Sequence, residues 1–332
     1  MIGFKQKPTA VTGIVIAVSV LLTACGESDL EQLQLDEIAA AQQEASELTP
    51  IGSENEPTPN VDPETPGSGG EDVTDPPTDV EKTAVEALLE DYQMVFSDEF
   101  NGSTLDSNKW NTQYQWGPDL IVNDEEQYYV DINNNPDFGY NPFSFDGESL
   151  IITADRTPTD LNDAAKEQAY LSGTLTSLGL FDMTYGYVEI RAKLPEGKGF
   201  WPGFWMLGTE FVDRKPQLYI MENRGDNTSI VYHRYNYSDD QDQFVYSDLL
   251  QSSGQNFHDE FHTYGVEWSE GQVTFYVDGE LQHTIQDENI SSQDMYFILN
   301  LAVGGWFPEA PDDTTTFPGV YTIDYIRAYQ KS

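Results

Sequence analysis

From Met94 onward the sequence predicts an all-β fold, an antiparallel jelly-roll sandwich of two curved sheets. Short runs of strand length alternate or stay apolar: 149–154 (SLIITA), 186–192 (GYVEIRA), 273–277 (VTFYV) and 321–327 (YTIDYIR). Turn pairs such as Asp146-Gly147 and Asp278-Gly279 punctuate them. No helical periodicity stands out here, and a length of roughly 240 residues suits one large β-sandwich domain, set at 94–331.

The N-terminus is built differently. Lys5 and Lys7 precede an apolar run, 11–22, that is short for a bilayer span and ends in small residues, as an export signal does. The ending Leu22-Thr23-Ala24-Cys25 resembles a bacterial lipoprotein box, which implies that residues 1–25 form the signal and that Cys25 is acylated. Cys25 is the only cysteine, so an intramolecular disulfide is excluded despite export. Several acyl chains on one residue give lasting anchorage. By the same resemblance, Gly26 in place of Asp points to the outer membrane or cell surface, with the membrane touched only through the anchor.

Residues 26–93 follow as an acidic linker. Lys82 is its one basic residue, no aromatic precedes Tyr92, and Pro, Glu, Ser and Gly dominate. Such a segment cannot bury enough apolar surface to offset its ordering entropy and is expected to be a disordered tether. Within it, 57–77 is low-complexity, while 30–48 and 80–89 carry Ala, Glu and Leu at loosely helical spacing that suits transient helices.

Acidic side chains number 58 against 15 basic ones, a formal net charge of -43. Nucleic acid is excluded as a partner, because phosphate binding needs clustered Lys and Arg. The long-range field also repels anionic membranes and sulfated or uronate-rich polymers, although a local pocket can override it. A neutral substrate fits better, and a monomer is expected. The four histidines, His233, His258, His262 and His283, show no zinc-like spacing.

The strings FWPGFWML (200–207) and TYGYVEIRAKLPEGKG (184–199) are similar to the core of glycoside hydrolase family 16, the laminarinase, lichenase and agarase group. SDEFNGSTLDSNKW from Ser97, NDEEQYY from Asn123, FHTYGVEW from Phe261, YVDGELQHT from Tyr276, LNLAVGG from Leu299 and TIDYIRAYQ from Thr322 add to it in family order. The detail most resembles bacterial endo-β-1,3-glucanases. The resemblance implies a concanavalin-like sandwich with a glycan cleft across one sheet, and a neutral, laminarin-type β-glucan as partner.

Family members carry Glu-x-Asp-x-x-Glu on one strand, where this chain has QLYIME (217–222). Retaining hydrolysis needs a carboxylate nucleophile and a second carboxyl as acid then base, about 5 Å apart. Residues two apart share a strand face, and a further step of three returns to it only if a β-bulge absorbs one residue. By the resemblance, Gln217 stands at the nucleophile position, Tyr219 at the assisting aspartate and Glu222 at the acid/base. An amide forms no stable glycosyl ester, so the ordinary route is expected to be lost. Without negative neighbours, Glu222 is expected to be ionised more often than a catalytic acid. Two alternatives stay open: Tyr219 as nucleophile, or Glu210 or Asp213 activating water for inversion.

For binding, the resemblance points to Trp201 and Trp205, whose rings suit the apolar face of a pyranose, with Asn123 and Trp116 as further contacts. Gly304-Gly305-Trp306-Phe307-Pro308 replaces the family's Gly-Gly-Asn-Trp-Pro, which moves the aromatic to Trp306. Arg224 and His233 complete the candidates. No cofactor is required; a structural calcium at Glu99, Gly147 and Asp324 is implied by the resemblance. Three functions follow: a glycan-binding protein derived from the enzyme, an active endo-glucanase with an altered constellation, or a structural or adhesion lipoprotein.

Overall fold

The computed structural model describes residues 82–210, 216–238 and 244–332. The Cys25 box, the export signal, most of the linker and Asp213 lie outside the described residues.

The ordered domain begins before the boundary expected at Met94. Thr83 and Glu86 form a reciprocal capping box on helix α1 (Ala84–Leu88). Val85 is buried with Tyr187 and Tyr276, and Leu88, Leu89 and Tyr92 pack against the same cluster. The backbone amide of Val85 also donates to the carbonyl of Gly279 at 3.1 Å. Apolar residues at 85, 88 and 89 share one helical face, and a surface on the sandwich receives it.

Seventeen strands follow among the described residues. They are β1 (Tyr92–Asp98), β2 (Gln127–Tyr129), β3 (Phe143–Phe145), β4 (Leu150–Arg156), β5 (Tyr170–Ser172), β6 (Thr174–Thr176), β7 (Gly186–Lys193), β8 (Phe200–Gly208) and β9 (Gln217–Glu222). The rest are β10 (Ile230–Ser238), β11 (Phe244–Tyr246), β12 (Leu250–Ser253), β13 (His262–Ser269), β14 (Gln272–Val277), β15 (Glu280–Gln286), β16 (Met295–Val303) and β17 (Gly319–Lys331). One sheet runs β15-β14-β13-β7-β17-β4-β5-β2, with β1 on β17 and β3 on β4. The other runs β11-β10-β9-β8-β16-β6, with β12 on β10. Pairing is antiparallel except between β2 and β5.

The two sheets share one core: Ile190, Val266 and Ile323 of the first belong to the same buried cluster as Phe204, Ile220 and Leu299 of the second. This is the predicted all-β sandwich. On the outer side of the second sheet, Tyr296, Ile298 and Leu207 form a separate apolar cluster with Tyr114 and Tyr129, and Trp116 and Trp205 pack against it. A β-sandwich that buried only its inner face would not need that cluster. It marks the side of the sheet on which loops from elsewhere in the chain build walls.

At the positions where the resemblance implies calcium, the two carboxylates have protein partners. Both oxygens of Glu99 accept from Arg327, at 3.0 Å from Nε and 2.7 Å from a terminal nitrogen, and Asp324 is paired with Arg191. A divalent cation held by these two side chains would have to displace two guanidinium groups, so the donors left there are backbone carbonyls. Gly147 lies in the turn after β3, at φ 100°. Among the described residues no set of three His, Cys, Asp or Glu side chains is gathered to hold a metal.

Candidate functional site

Strand β9 carries the bulge that its spacing required. Against β8, Phe204 pairs with Met221 and Trp205 with Tyr219, leaving Ile220 as the extra residue. Leu218, Ile220 and Met221 all enter the core, so Gln217, Tyr219 and Glu222 share the opposite, outer face. Across β10 they pair with Asn236, Arg234 and Tyr232 respectively.

His233 holds the bulge from behind. Its ring is fully buried, Nδ1 donates to the carbonyl of Ile220 at 2.6 Å, and Nε2 accepts from the Ser252 hydroxyl at 2.9 Å. Burial pushes its pKa down to about 4, so the ring is neutral. His233, one of the candidate contacts, is therefore turned into the core, away from the outer face. One residue of alternation turns it into the core and turns Arg234 outward instead.

The three aligned positions differ in character. Gln217 is buried, and its Oε1 accepts from the Tyr219 hydroxyl at 2.9 Å and from Asn236 Nδ2 at 3.1 Å. Tyr219 lies parallel to Trp205, with ring centroids 5.5 Å apart and planes inclined by 14°. Its hydroxyl hydrogen is directed at an amide, which is no base for a phenol, so this geometry gives a tyrosine nucleophile no support. At the other end of the strand, Glu222 accepts from Trp201 Nε1 at 2.9 Å.

Burial, with Glu125 adding, raises the pKa of Glu222 to about 7, against the opposing pull of Arg234 and the Trp201 hydrogen bond. The expectation that Glu222 would be more often ionised is thus corrected: loss of the neighbouring acids is outweighed by loss of water.

Glu125 is the carboxylate that sequence reasoning missed, although it lies inside the NDEEQYY string. It is buried and accepts from Asn123 Nδ2 at 3.0 Å, Gln127 Nε2 at 2.5 Å and the Tyr129 hydroxyl at 3.4 Å. Burial lifts its pKa to about 7 while those three donors oppose the shift. All of its contacts run to the loop and strand around it, so it organises the wall rather than reaching for a reacting atom.

That wall collects most of the expected binding residues. Asn123 adopts φ 58° and its backbone carbonyl accepts from the Trp306 amide at 3.1 Å. Gly305 sits at φ 98°, and a Cβ there would lie 2.8 Å from the Asn123 carbonyl, which explains glycine at that point. Trp201 meets Trp306 edge to face at 5.7 Å and Phe307 at 5.2 Å. On the far side, Trp205 Nε1 donates to Asn300 Oδ1 at 2.9 Å, and Asn300 Nδ2 donates to Tyr129 at 3.1 Å. Trp116 stacks on Tyr114 at 4.5 Å beside Trp205. Arg224 is at the margin, paired with Asp226 and 5.9 Å from the Phe307 ring.

Glu210 is not brought to Glu222. Glu222 pairs with Gly203 and Gln217 with Leu207, so the loop after Gly208 leaves from the Gln217 end, about 17 Å along the strand. Inversion needs roughly 6.5–9.5 Å between carboxyls. Glu210 instead accepts from Gln293 Nε2 at 2.9 Å. Asn300, Phe307, Tyr232, Arg234 and Asn236 were also missed; LNLAVGG contained the first, while the last three share a strand face that only the pairing with β9 fixes.

The family model described as "Glycosyl hydrolases family 16" matches residues 129–327. The chain is 32% identical over 241 residues to the endo-1,3-1,4-beta-glycanase ExsH of Rhizobium meliloti (strain 1021), covering 70% of this chain and 51% of that one. It therefore spans about half the length of that relative. To the beta-glucanase of Rhodothermus marinus it is 31% identical over 265 residues, covering 72% of this chain and 85% of the other. Among solved structures, the laminarinase catalytic domain from Thermotoga maritima MSB8 matches with a TM-score of 0.61 and 34% identity, over 73% of this chain and 99% of that one.

Proposed function

Because this chain belongs to glycosyl hydrolase family 16, we propose that its domain binds a β-glucan of the laminarin type in the cleft above β9 and does not cleave it by the family's double displacement. One observation carries this reading. Gln217 and Tyr219, where that route needs two carboxylates, are neutral side chains hydrogen-bonded to each other, with Asn236 donating to the same Gln217 oxygen. Trp201, Trp205, Trp306 and Asn123 keep an aromatic and polar frame around it.

Hydrolysis by another constellation is the alternative, and one feature favours it. Glu222 holds its proton up to about pH 7, as a general acid must. A proton donor alone does not suffice, since retention needs a nucleophile and inversion a base on the opposite face of the sugar.

In the full protein, the lipoprotein-like box would fix the domain to the outer membrane through Cys25, and the acidic linker would hold it off the surface as a monomer able to capture polymer. Incubating the purified domain with laminarin tests the proposal. Retention on the polymer without new reducing ends is the expected result. Release of oligosaccharides would establish the alternative, and neither retention nor release would leave the structural or adhesion lipoprotein.

A further inference from the structure

Resting on the reading of this cleft as a glycan site, we propose that its floor is built to take an anionic substituent on the bound sugar, a carboxylate or sulfate half-ester, at the guanidinium of Arg234. Strand register puts Arg234 on the outer face of β10, between Tyr232 and Asn236 and directly across from Tyr219. It stands mid-floor, over the positions where the family pattern has its nucleophile and assisting acid.

Among the described residues no side chain hydrogen-bonds the guanidinium or pairs with it at salt-bridge distance, although its charge acts on Glu222. Its Nε is buried and makes no hydrogen bond. The other described arginines are all engaged: Arg191 with Asp324, Arg224 with Asp226, Arg327 with Glu99, and Arg156 against the Tyr170 and Phe317 rings. With 58 acidic residues for 15 basic ones, an acid partner is easy to supply in this chain. A buried donor without one is costly in a folded protein and calls for an explanation.

The surroundings favour a negative guest. Gln217, Tyr219 and Asn236 are neutral and joined through the Gln217 carbonyl oxygen, so those positions carry no negative charge where the family motif would place two. Glu222, the described acid on which the Arg234 charge acts, has its pKa raised chiefly by burial, which weakens its competition for Arg234 below neutrality. The overall charge of -43 opposes any anion at long range. At physiological salt that field is screened over about 8 Å, whereas a contact within the cleft is not. A planar guanidinium recognises carboxylate and sulfate through paired hydrogen bonds, and an aromatic frame beside it holds the ring that bears them.

The test compares three polymers on one backbone by calorimetry at about 0.15 M salt: laminarin, laminarin oxidised to carboxylate at C6, and sulfated laminarin. At least one anionic form should bind about tenfold or more tightly than laminarin, and the better of the two identifies the substituent. R234Q should bring the ratio to one or below, while R234K, a point charge without the fork, should keep part of it. Unfolding curves for both variants separate loss of recognition from loss of fold. Laminarin binding as well as or better than both anionic forms would overturn the inference and leave the glucan-binding reading intact, as would a preference that survives R234Q. Binding of the anionic forms alone would uphold the inference and overturn a neutral ligand. If none of the three binds, both fail.

Discussion

At one end of β9, Glu222 reaches across to Trp201, which in turn meets Trp306 and Phe307, and Asn123 and Glu125 complete a wall drawn from distant parts of the chain. At the other end, Gln217 spends its carbonyl oxygen on Tyr219 and Asn236, its neighbours on the same sheet. The first end is arranged around something to be held. The second is arranged around itself. A fold can thus keep a ligand frame after the polar groups that did chemistry have been replaced by groups that satisfy each other, because frame and chemistry rest on different contacts.

Trp201→Ala should break the holding end most severely. Its ring is buried between Glu222, Trp306 and Phe307, so truncation should cost about 3 kcal/mol of stability and more than about tenfold in laminarin affinity. Denaturant melts and calorimetry read the two effects separately, and Trp201→Phe should recover most of the stability without the hydrogen bond to Glu222.

His233→Leu attacks the hinge between the two ends. It leaves the Ile220 carbonyl and the Ser252 hydroxyl unpaired in the core, for a cost of about 2 kcal/mol. It should also loosen the bulge that returns Glu222 to the outer face, so glycan affinity should fall by more than the change in stability alone explains.

Glu222→Gln gives a smaller, pH-dependent effect. A carboxyl whose folded pKa is about 7 binds a proton more tightly in the folded than in the unfolded chain, so its contribution is complete below about pH 4.5 and is lost as pH rises through 7. E222Q should therefore gain on the wild type by about 1–2 kcal/mol between pH 5 and pH 8, the figure being reduced for partial exposure. Melting temperatures across that range check it. A constant difference would mean that Glu222 titrates normally and that burial at this end of the strand is overstated.

Much of this was legible in the chain. Alternating runs and Asp-Gly turns located the sandwich, and the spacing within QLYIME required the bulge that Ile220 makes. What escaped depended on register and on water. A single step of alternation exchanges His233 for Arg234 on the outer face, and no pattern within IVYHRYNYS settles it without the partner strand. The pKa of Glu222 turned on desolvation by residues far away in sequence, whereas its immediate neighbours suggested the opposite sign. Helix α1 falls within 80–89, where helical spacing suited a transient helix; its docking escaped for a third reason, because it comes from the Tyr187 and Tyr276 surface that receives Val85.

The most direct measurement is reducing-end release from laminarin by the Q217E/Y219D variant beside the wild type. Carboxylates restored at both positions, on a strand whose bulge and Glu222 are already in place, should produce hydrolysis with retention at the anomeric carbon where the wild type shows none. A folded double variant that still binds laminarin but releases nothing would contradict the account, and so would a wild type that already cleaves.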